Sequence, residues 1–418
     1  MDGLTVRSTF SPYAYFDRFG YAADTFTKSN KGTALPKADL TNNNGYSYTW
    51  DNTVNFVRTI HKDHSIDVML GTSTYEAQWE HSYISVKDLP FNSKWHNIKS
   101  AGTEVARESW EGRDRLVSFM GRFNYSYKDK YLFTVTGRAD GSSKLAQGHK
   151  WGFFPSAAIA WRVTEEGFLK DNSVINNLKL RLSYGESGNN AVDNYSTILG
   201  TSSTQYDFDG TNANGQYLNR IKNDKLGWEK SKEINLGLDF AFWGGRLAGN
   251  VELYNKKTYD LILSQKIPQT NGFDNVGAVN VGATRNKGLE IGLNTVNIQT
   301  KDFSWTTNLS FATNKNEITE IFGDSKDYPD QKLFIGQPVL VHYDYAWDGI
   351  WQTSEKDEAS KYGRLPGAVK EVDQDNSGTI TPDKDRVILG TPFPDWTGSI
   401  TNTFTYKDFD FSVFIYTR

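Results

Sequence analysis

Apolar and polar side chains alternate with a period of two along most of the chain, and helical spacing is almost absent. The clearest run is Glu233 to Tyr254. Ile234, Leu236, Leu238, Phe240 and Phe242 fall on one side of a strand. Glu233, Asn235, Gly237, Asp239 and Ala241 fall on the other, because successive strand side chains point to opposite faces. "WGGR" (Trp243 to Arg246) then turns the chain, and Leu247, Gly249, Val251 and Leu253 return against Ala248, Asn250, Glu252 and Tyr254. The pattern predicts a hairpin with one apolar and one polar face.

The unit recurs. Val117, Phe119, Gly121, Phe123 and Tyr125 lead through "KDK" to Tyr131, Phe133 and Val135, and Leu289, Ile291 and Leu293 lead through "QTKD" to Phe303, Trp305, Leu309 and Phe311. Phe404 and Tyr406 lead through "KD" to Phe409, Phe411, Val413 and Ile415, and "HKDH" (His61 to His64) joins Val57 to Ile66. These tight turns alternate with long polar excursions over 73–112, 187–229, 256–286 and 314–394. Aromatic residues gather near strand ends, at Tyr125, Tyr127, Tyr131, Trp161, Phe242, Trp243, Phe303 and Trp305. Short turns at one end, long loops at the other and aromatic girdles predict an all-β, antiparallel transmembrane barrel with a polar interior. A soluble sandwich or propeller also alternates in two. Its strands usually stop near five or six residues, whereas several here alternate for about ten, the length of a tilted membrane strand.

Composition sharpens this. Aromatic residues make up 14% of the 418 positions, yet the mean hydropathy is polar at −0.60. A barrel reconciles the two, since apolar side chains are needed only at alternate positions and aromatics at the interfaces. No run approaches the roughly 20 apolar residues of a transmembrane helix. The formal charge of −4 carries no nucleic-acid footprint, and the absence of cysteine excludes disulfides and thiolate sites. The start "MDGLTVRSTF" has no basic segment followed by an apolar one, so no signal peptide is expected there.

Four stretches carry a family resemblance: "GRFNYSYKDKYLFTVTGRADGSSKL" with "KWGFFPSAAIAWRVTEEGFL", "LKLRLSYGESGNN", "LGWEKSKEINLGLDFAFWGGRLAGNVELYNKKTYDLIL" with "NVGATRNKGLEIGL", and "PGAVKEVDQDNSGTITPDKDRVILGTPFPDWTGSITNTFTYKDFDFSVFIYTR". Together they are similar to the C-terminal barrel of SusC/RagA-family TonB-dependent outer-membrane transporters of the Bacteroidota. The resemblance implies a plugged barrel that imports oligosaccharides or peptides with a SusD-like surface lipoprotein, driven by the TonB complex. It also implies that residues 1–418 are an incomplete barrel domain of about a dozen strands, with the plug, TonB box and signal peptide outside it and the last strands missing. Outer-membrane lipid, a SusD-like lipoprotein, TonB and a glycan or peptide ligand are the partners this implies. A passive porin or adhesin and a soluble carbohydrate-binding β protein are the alternatives.

Enzyme chemistry is not indicated, for there is no phosphate loop, zinc helix or nucleophile elbow. The six histidines, His61, His64, His81, His96, His149 and His342, lack ligand spacing. "EVDQDNSGTITPDKDR" does have the spacing of a calcium loop. Asp373, Asp375 and Ser377 would offer side-chain oxygens, Gly378 the sharp bend and Thr379 its carbonyl. The position that should carry a bidentate carboxylate is Lys384, flanked by Asp383 and Asp385. The two readings are structural calcium in an outer loop, the one cofactor the sequence suggests, and a hydrated turn. "YDFDGTNANGQY" and "VHYDYAWDGIWQ" suit sugar stacking or a protein lid, without naming individual contacts.

Overall fold

The computed structural model describes residues 3–28, 31–32, 34–170, 172–266, 270 and 275–418. Its strands are β1 (Leu4–Ala23), β2 (Lys37–Ile60), β3 (His64–Lys87), β4 (Thr103–Tyr127), β5 (Tyr131–Ser142), β6 (Trp151–Arg162), β7 (Ile175–Asn189), β8 (Gly200–Phe208), β9 (Thr211–Arg220), β10 (Glu229–Phe242) and β11 (Leu247–Tyr259). They continue with β12 (Ile262–Lys266), β13 (Asn275–Asn280), β14 (Ala283–Gln299), β15 (Phe303–Glu320), β16 (His342–Tyr345), β17 (Trp347–Ile350), β18 (Val369–Glu371), β19 (Arg386–Gly390), β20 (Thr397–Tyr406) and β21 (Phe409–Thr417). The helix α1 (Lys356–Lys361) lies between β17 and β18.

Thirteen strands form one antiparallel sheet in the order β1-β2-β3-β4-β5-β6-β7-β10-β11-β14-β15-β20-β21. Each neighbour is the next sheet strand along the chain, the meander expected of an up-and-down barrel wall. The remaining strands pair as β8 with β9, β12 with β13, β16 with β19 and β17 with β18, inside the long connections. The tight turns fall where the sequence places them. Their left-handed residues include His61 and Lys62, Lys128 and Asp129, Trp243 with Gly244 and Gly245, and Lys407.

One expectation needs correction. The excursion expected over 73–112 is mostly strand, because β3 runs to Lys87 and β4 begins at Thr103, with pairing continuous from His64↔Tyr127 to Lys87↔Thr103 apart from one shift. At 24 residues for β3 and about 3.3 Å per residue, the strand reaches about 80 Å, far beyond a hydrocarbon core of about 30 Å. Outside lipid both faces are wetted, so the apolar alternation fades while the hydrogen-bond ladder continues.

The chain divides into two compact units, Met1–Ile159 with Gly185–Lys230 and Ile262–Asn280, and Ala160–Tyr184 with Ser231–Leu261 and Val281–Arg418. In the first, Leu145, Ala146, Phe154, Leu226 and Trp228 form one buried cluster, and Ala38, Val86 and Leu89 another. Both sit at the long-loop ends of strands. The Trp228 indole N–H donates to the Lys150 carbonyl at 2.9 Å, and its ring meets Phe154 edge-on at 5.3 Å. In the second, Ile318, Ile321, Phe334, Trp351 and Ala359 are buried in or beside the connection from β15 to β20.

Candidate functional site

The strands carry their apolar side chains on the exposed face and their polar ones on the sheltered face. In the first unit Phe119 is 52% exposed while its neighbour Ser118 is 0% exposed. In the second Leu253 is 50% exposed on the face of Leu236 and Ile234, while Asp239 and Glu252 face the other way. Water would penalise such an extended apolar surface, whereas hydrocarbon accepts it.

Strand register gives the height of this surface. On β4 the outward positions from Val117 to Tyr127 are apolar or glycine, paired with Thr74, Thr72, Leu70, Val68, Ile66 and His64 of β3. Ten residue steps at about 3.3 Å, tilted about 40°, rise about 25 Å, the height of a barrel's lipid band. The next outward positions, Arg115 and Arg113, both engage Glu76, Arg115 through its Nε at 3.1 Å from Oε2. Aromatic rings close the turn end: His64 against Tyr127 at 5.0 Å and Tyr127 against Tyr131 at 6.4 Å. In the second unit Phe240 meets Phe242 at 5.6 Å and Trp305 meets Phe404 at 5.6 Å.

The inner face is a hydrogen-bonded polar wall. In the first unit Arg122 pairs with Asp67 at 3.3 Å, and Asn124 donates to Asp67 at 3.1 Å and accepts from Thr134 at 2.9 Å. In the second Arg181 of β7 donates to Asp239 at 2.9 and 2.8 Å and to Glu252 at 2.9 Å, and Asn235 donates to Glu252 at 3.1 Å. Gly237 makes room for this bridge, since the Arg181 guanidinium lies where a Cβ would project. Farther along the wall Asn308 donates to Asn294 at 2.6 Å, level with Thr401 on β20. Sequence reading did not single out Arg181, because charges on alternating strands meet only once register is fixed.

The calcium-spaced loop leads from β18 to β19. Asp373, Asp375 and Asp385 each bring one carboxylate oxygen within 4.8 Å of the others. Asp373 accepts from the Ser377 N–H at 3.1 Å and the Gly378 N–H at 2.7 Å, the tight bend being taken by Asn376 and Gly378 at positive φ. Burial pushes the Asp373 carboxyl up, but the Gly378 and Ser377 N–H groups, together with Asp375 and the Tyr362 hydroxyl, outweigh it and hold the group below the usual aspartate value. Asp385 is fully buried and accepts from the Gln374 N–H at 2.8 Å and the Thr381 N–H at 2.6 Å. Ser377 and Thr379 are not aimed at the carboxylates, for the Ser377 hydroxyl donates to the Thr379 carbonyl at 3.0 Å. Asp385, next to Lys384, supplies the carboxylate that the spacing lacked. Three hard oxygens at this separation match the span of a calcium shell, whose ligands stand about 2.3–2.6 Å from the ion.

The family model described as "TonB dependent receptor-like, beta-barrel" matches residues 2–417. The TonB-dependent receptor P26 of Formosa agariphila is 33% identical over 98% of this chain and 42% of its own length. The TonB-dependent receptor SusC of Bacteroides thetaiotaomicron is 37% identical over 72% of this chain and 31% of its own. Among solved structures, the RagAB peptide transporter superposes with a TM-score of 0.85 at 22% identity, over 100% of this chain and 46% of that one. The chain thus spans less than half the length of these relatives. An inverted antiparallel sheet, a lipid band of barrel height and a family match from end to end agree: the chain belongs to the TonB-dependent receptor β-barrel family of the outer membrane.

Proposed function

We propose that the chain is the barrel part of a SusC/RagA-type importer that takes up oligosaccharides or peptides through the outer membrane, with energy delivered by TonB and with a SusD-like lipoprotein at the surface. The observation that carries this reading is the polar inner wall behind an apolar outer band, in a chain of this family. The β8–β9 hairpin adds support for a sugar ligand. Tyr206, Phe208 and Tyr217 share one of its faces, with the Tyr206 ring lying across Gly215, and Gln205, Asp207, Asn212 and Asn214 share the other. Flat rings side by side on one face offer stacking surfaces to the apolar faces of sugars. Asp373, Asp375 and Asp385 would hold calcium as a staple between β18 and β19 rather than as a switch, since no pair of long helices flanks the loop, and Ser377 and Thr379 would join the shell only by turning away from each other.

The test is uptake in the host. Deleting the whole gene should abolish growth on one class of oligosaccharide or peptide, and a protonophore or loss of TonB should stop uptake by the wild type. Uptake indifferent to de-energisation would instead identify a passive pore. Recovery of the full-length protein in soluble form without detergent would overturn the membrane reading itself.

A further inference from the structure

Beyond the lipid band the inner face of β1 to β4 becomes rich in rings. One row across the four strands runs Tyr15, Gly45, Trp79, Gly112, so that ring and glycine alternate. Gly112 lies five residue steps past Val117, about 13 Å beyond the last apolar row. The Tyr15 ring lies across Gly45 and the Trp79 indole across Gly112, each with three ring atoms close to where a Cβ would project. Each ring is thus seated against the neighbouring strand and turns its other face to the interior. Seated over β2 and β4, the two rings stand about two strand spacings, or about 10 Å, apart. Trp110, in the next row, stacks on His81 at 5.2 Å and is 52% exposed. Tyr13 stands 6.1 Å from Tyr15 on the same face.

The polar groups beside the rings are the second observation. Asn43 donates to Asp17 at 3.1 Å, its amide oxygen meets the His81 Nδ1 at 2.7 Å, and the His81 Nε2 stands 3.4 Å from Glu108. A carboxylate has more lone pairs than these contacts use, so Asp17 and Glu108 can each accept further hydroxyls. The charge is one-sided. Among the described residues, the inward positions from the Tyr13 row to the Phe19 row carry Asp17, Glu108 and Asp114 but no lysine or arginine. Lys144, from the connection between β5 and β6, answers Asp114 at 3.3 Å. Such a face repels uronic acids and sulfate esters and accepts an uncharged ligand. A peptide would be captured along a sheet edge through its backbone, whereas β2 and β3 are paired on both sides.

We propose that Tyr13, Tyr15, Trp79 and Trp110 form a stacking platform for a neutral oligosaccharide on the inner wall above the membrane, with Asp17 and Glu108 accepting its hydroxyls. Tyr15 and Trp79 meet the apolar faces of two sugar units, their separation being close to the advance of two units along an extended chain. The glycine seats hold both rings in place before the ligand arrives, so little side-chain freedom is lost on binding. The platform rests on the importer reading above and selects, of the two ligand classes in that reading, the sugar.

The full-length gene product in detergent micelles is screened against an array of neutral hexasaccharides (glucans, mannans, xylans and galactans), of uronate and sulfated hexasaccharides, and of hexapeptides. Wild type should retain a neutral hexasaccharide more tightly than any acidic one or any peptide. Trp79→Ala and Trp110→Ala should each weaken that binding about fivefold, and together about twentyfold, while keeping the heat-modifiable gel shift of a folded barrel. Gly112→Ala retains every ring but unseats Trp79, and should weaken binding as well. Glu108→Gln should narrow the preference for neutral over acidic sugars. Retention of no neutral sugar, preference for acidic sugars or peptides, or unchanged binding by the double variant would overturn the platform. Sugar uptake that stays energy-dependent and undiminished in the double variant would overturn it too and leave the importer standing. A wild type without energised uptake of any sugar or peptide would overturn the importer reading instead.

Discussion

Val251 and Asn250 are consecutive residues on β11, and the inverted architecture makes opposite demands on them. Val251 pairs outward with Ile291, which in turn faces Phe311, in the middle of the apolar band. Asn250 pairs inward with Gly292, beside a cavity of about 310 Å³ bordered by Glu290, Ser310, Ser399 and Tyr416. Val251→Arg places a guanidinium in hydrocarbon, where a barrel loses about 2–4 kcal/mol, a factor of about thirty to nearly a thousand in the folded ratio. Asn250→Arg places the same group in an open, polar-lined recess bordered by the Glu290 carboxylate, where the change should stay within about 1 kcal/mol. The assay is urea unfolding of the full-length protein in liposomes, read by heat-modifiable migration. A soluble β protein with its core on the Val251 side predicts a similar loss at Val251 but none of the lipid dependence. Equal stabilities of the two variants, or loss at Asn250 exceeding that at Val251, would refute the assignment of faces.

Three further outcomes follow from particular contacts. Arg181→Met leaves Asp239 and Glu252 facing each other without their shared cation and should cost about 1–2 kcal/mol at these partly exposed sites; Arg181→Lys should recover less than half in the same unfolding assay, because one ammonium cannot repeat the fork on two carboxylates. Asp385→Asn weakens the charge-assisted bonds from Gln374 and Thr381 and should destabilise the loop by about 1–3 kcal/mol; calcium should raise the unfolding temperature of the wild type, and Asp373→Asn with Asp375→Asn should remove that rise. The Gln352 N–H and the Lys370 ammonium hold the Glu355 carboxyl below its ordinary value of 4.5. Its stabilising contribution is therefore complete above about that pH and lost as pH falls through the depressed value; the hydrogen-exchange protection factors over residues 347–371, taken relative to the intrinsic rate at each pH, should fall on acidification in the wild type and stay level in Glu355→Gln.

Much of the strand framework was legible because alternation in a barrel is strict within the lipid band. The runs from Val117, Ile234, Leu289 and Phe404 each appear as strands ending at the expected tight turns. Legibility failed where the band ends. The paired extensions of β3 and β4 read as loop, since 73–87 and 103–112 alternate little once both faces meet water. Arg181 and the seated rings were invisible for another reason. Trp79 and Gly112 are far apart in sequence and meet only through the register of β3 on β4.

The calcium-spaced loop divides the two sources of information most sharply. Spacing alone nominated Asp373, Asp375, Ser377 and Thr379 and left the closing carboxylate unassigned, because a Lys384 side chain cannot provide one. The backbone bend at Asn376 and Gly378, with the Thr381 N–H drawing in Asp385, decided which acid joins the cluster and turned Ser377 toward Thr379. By itself the sequence determined the strand period, the turn positions and the family, since these depend on neighbours two residues apart and on local turn chemistry. Which charges meet, on which face and at what height depended on register, a property of paired strands that no single strand contains.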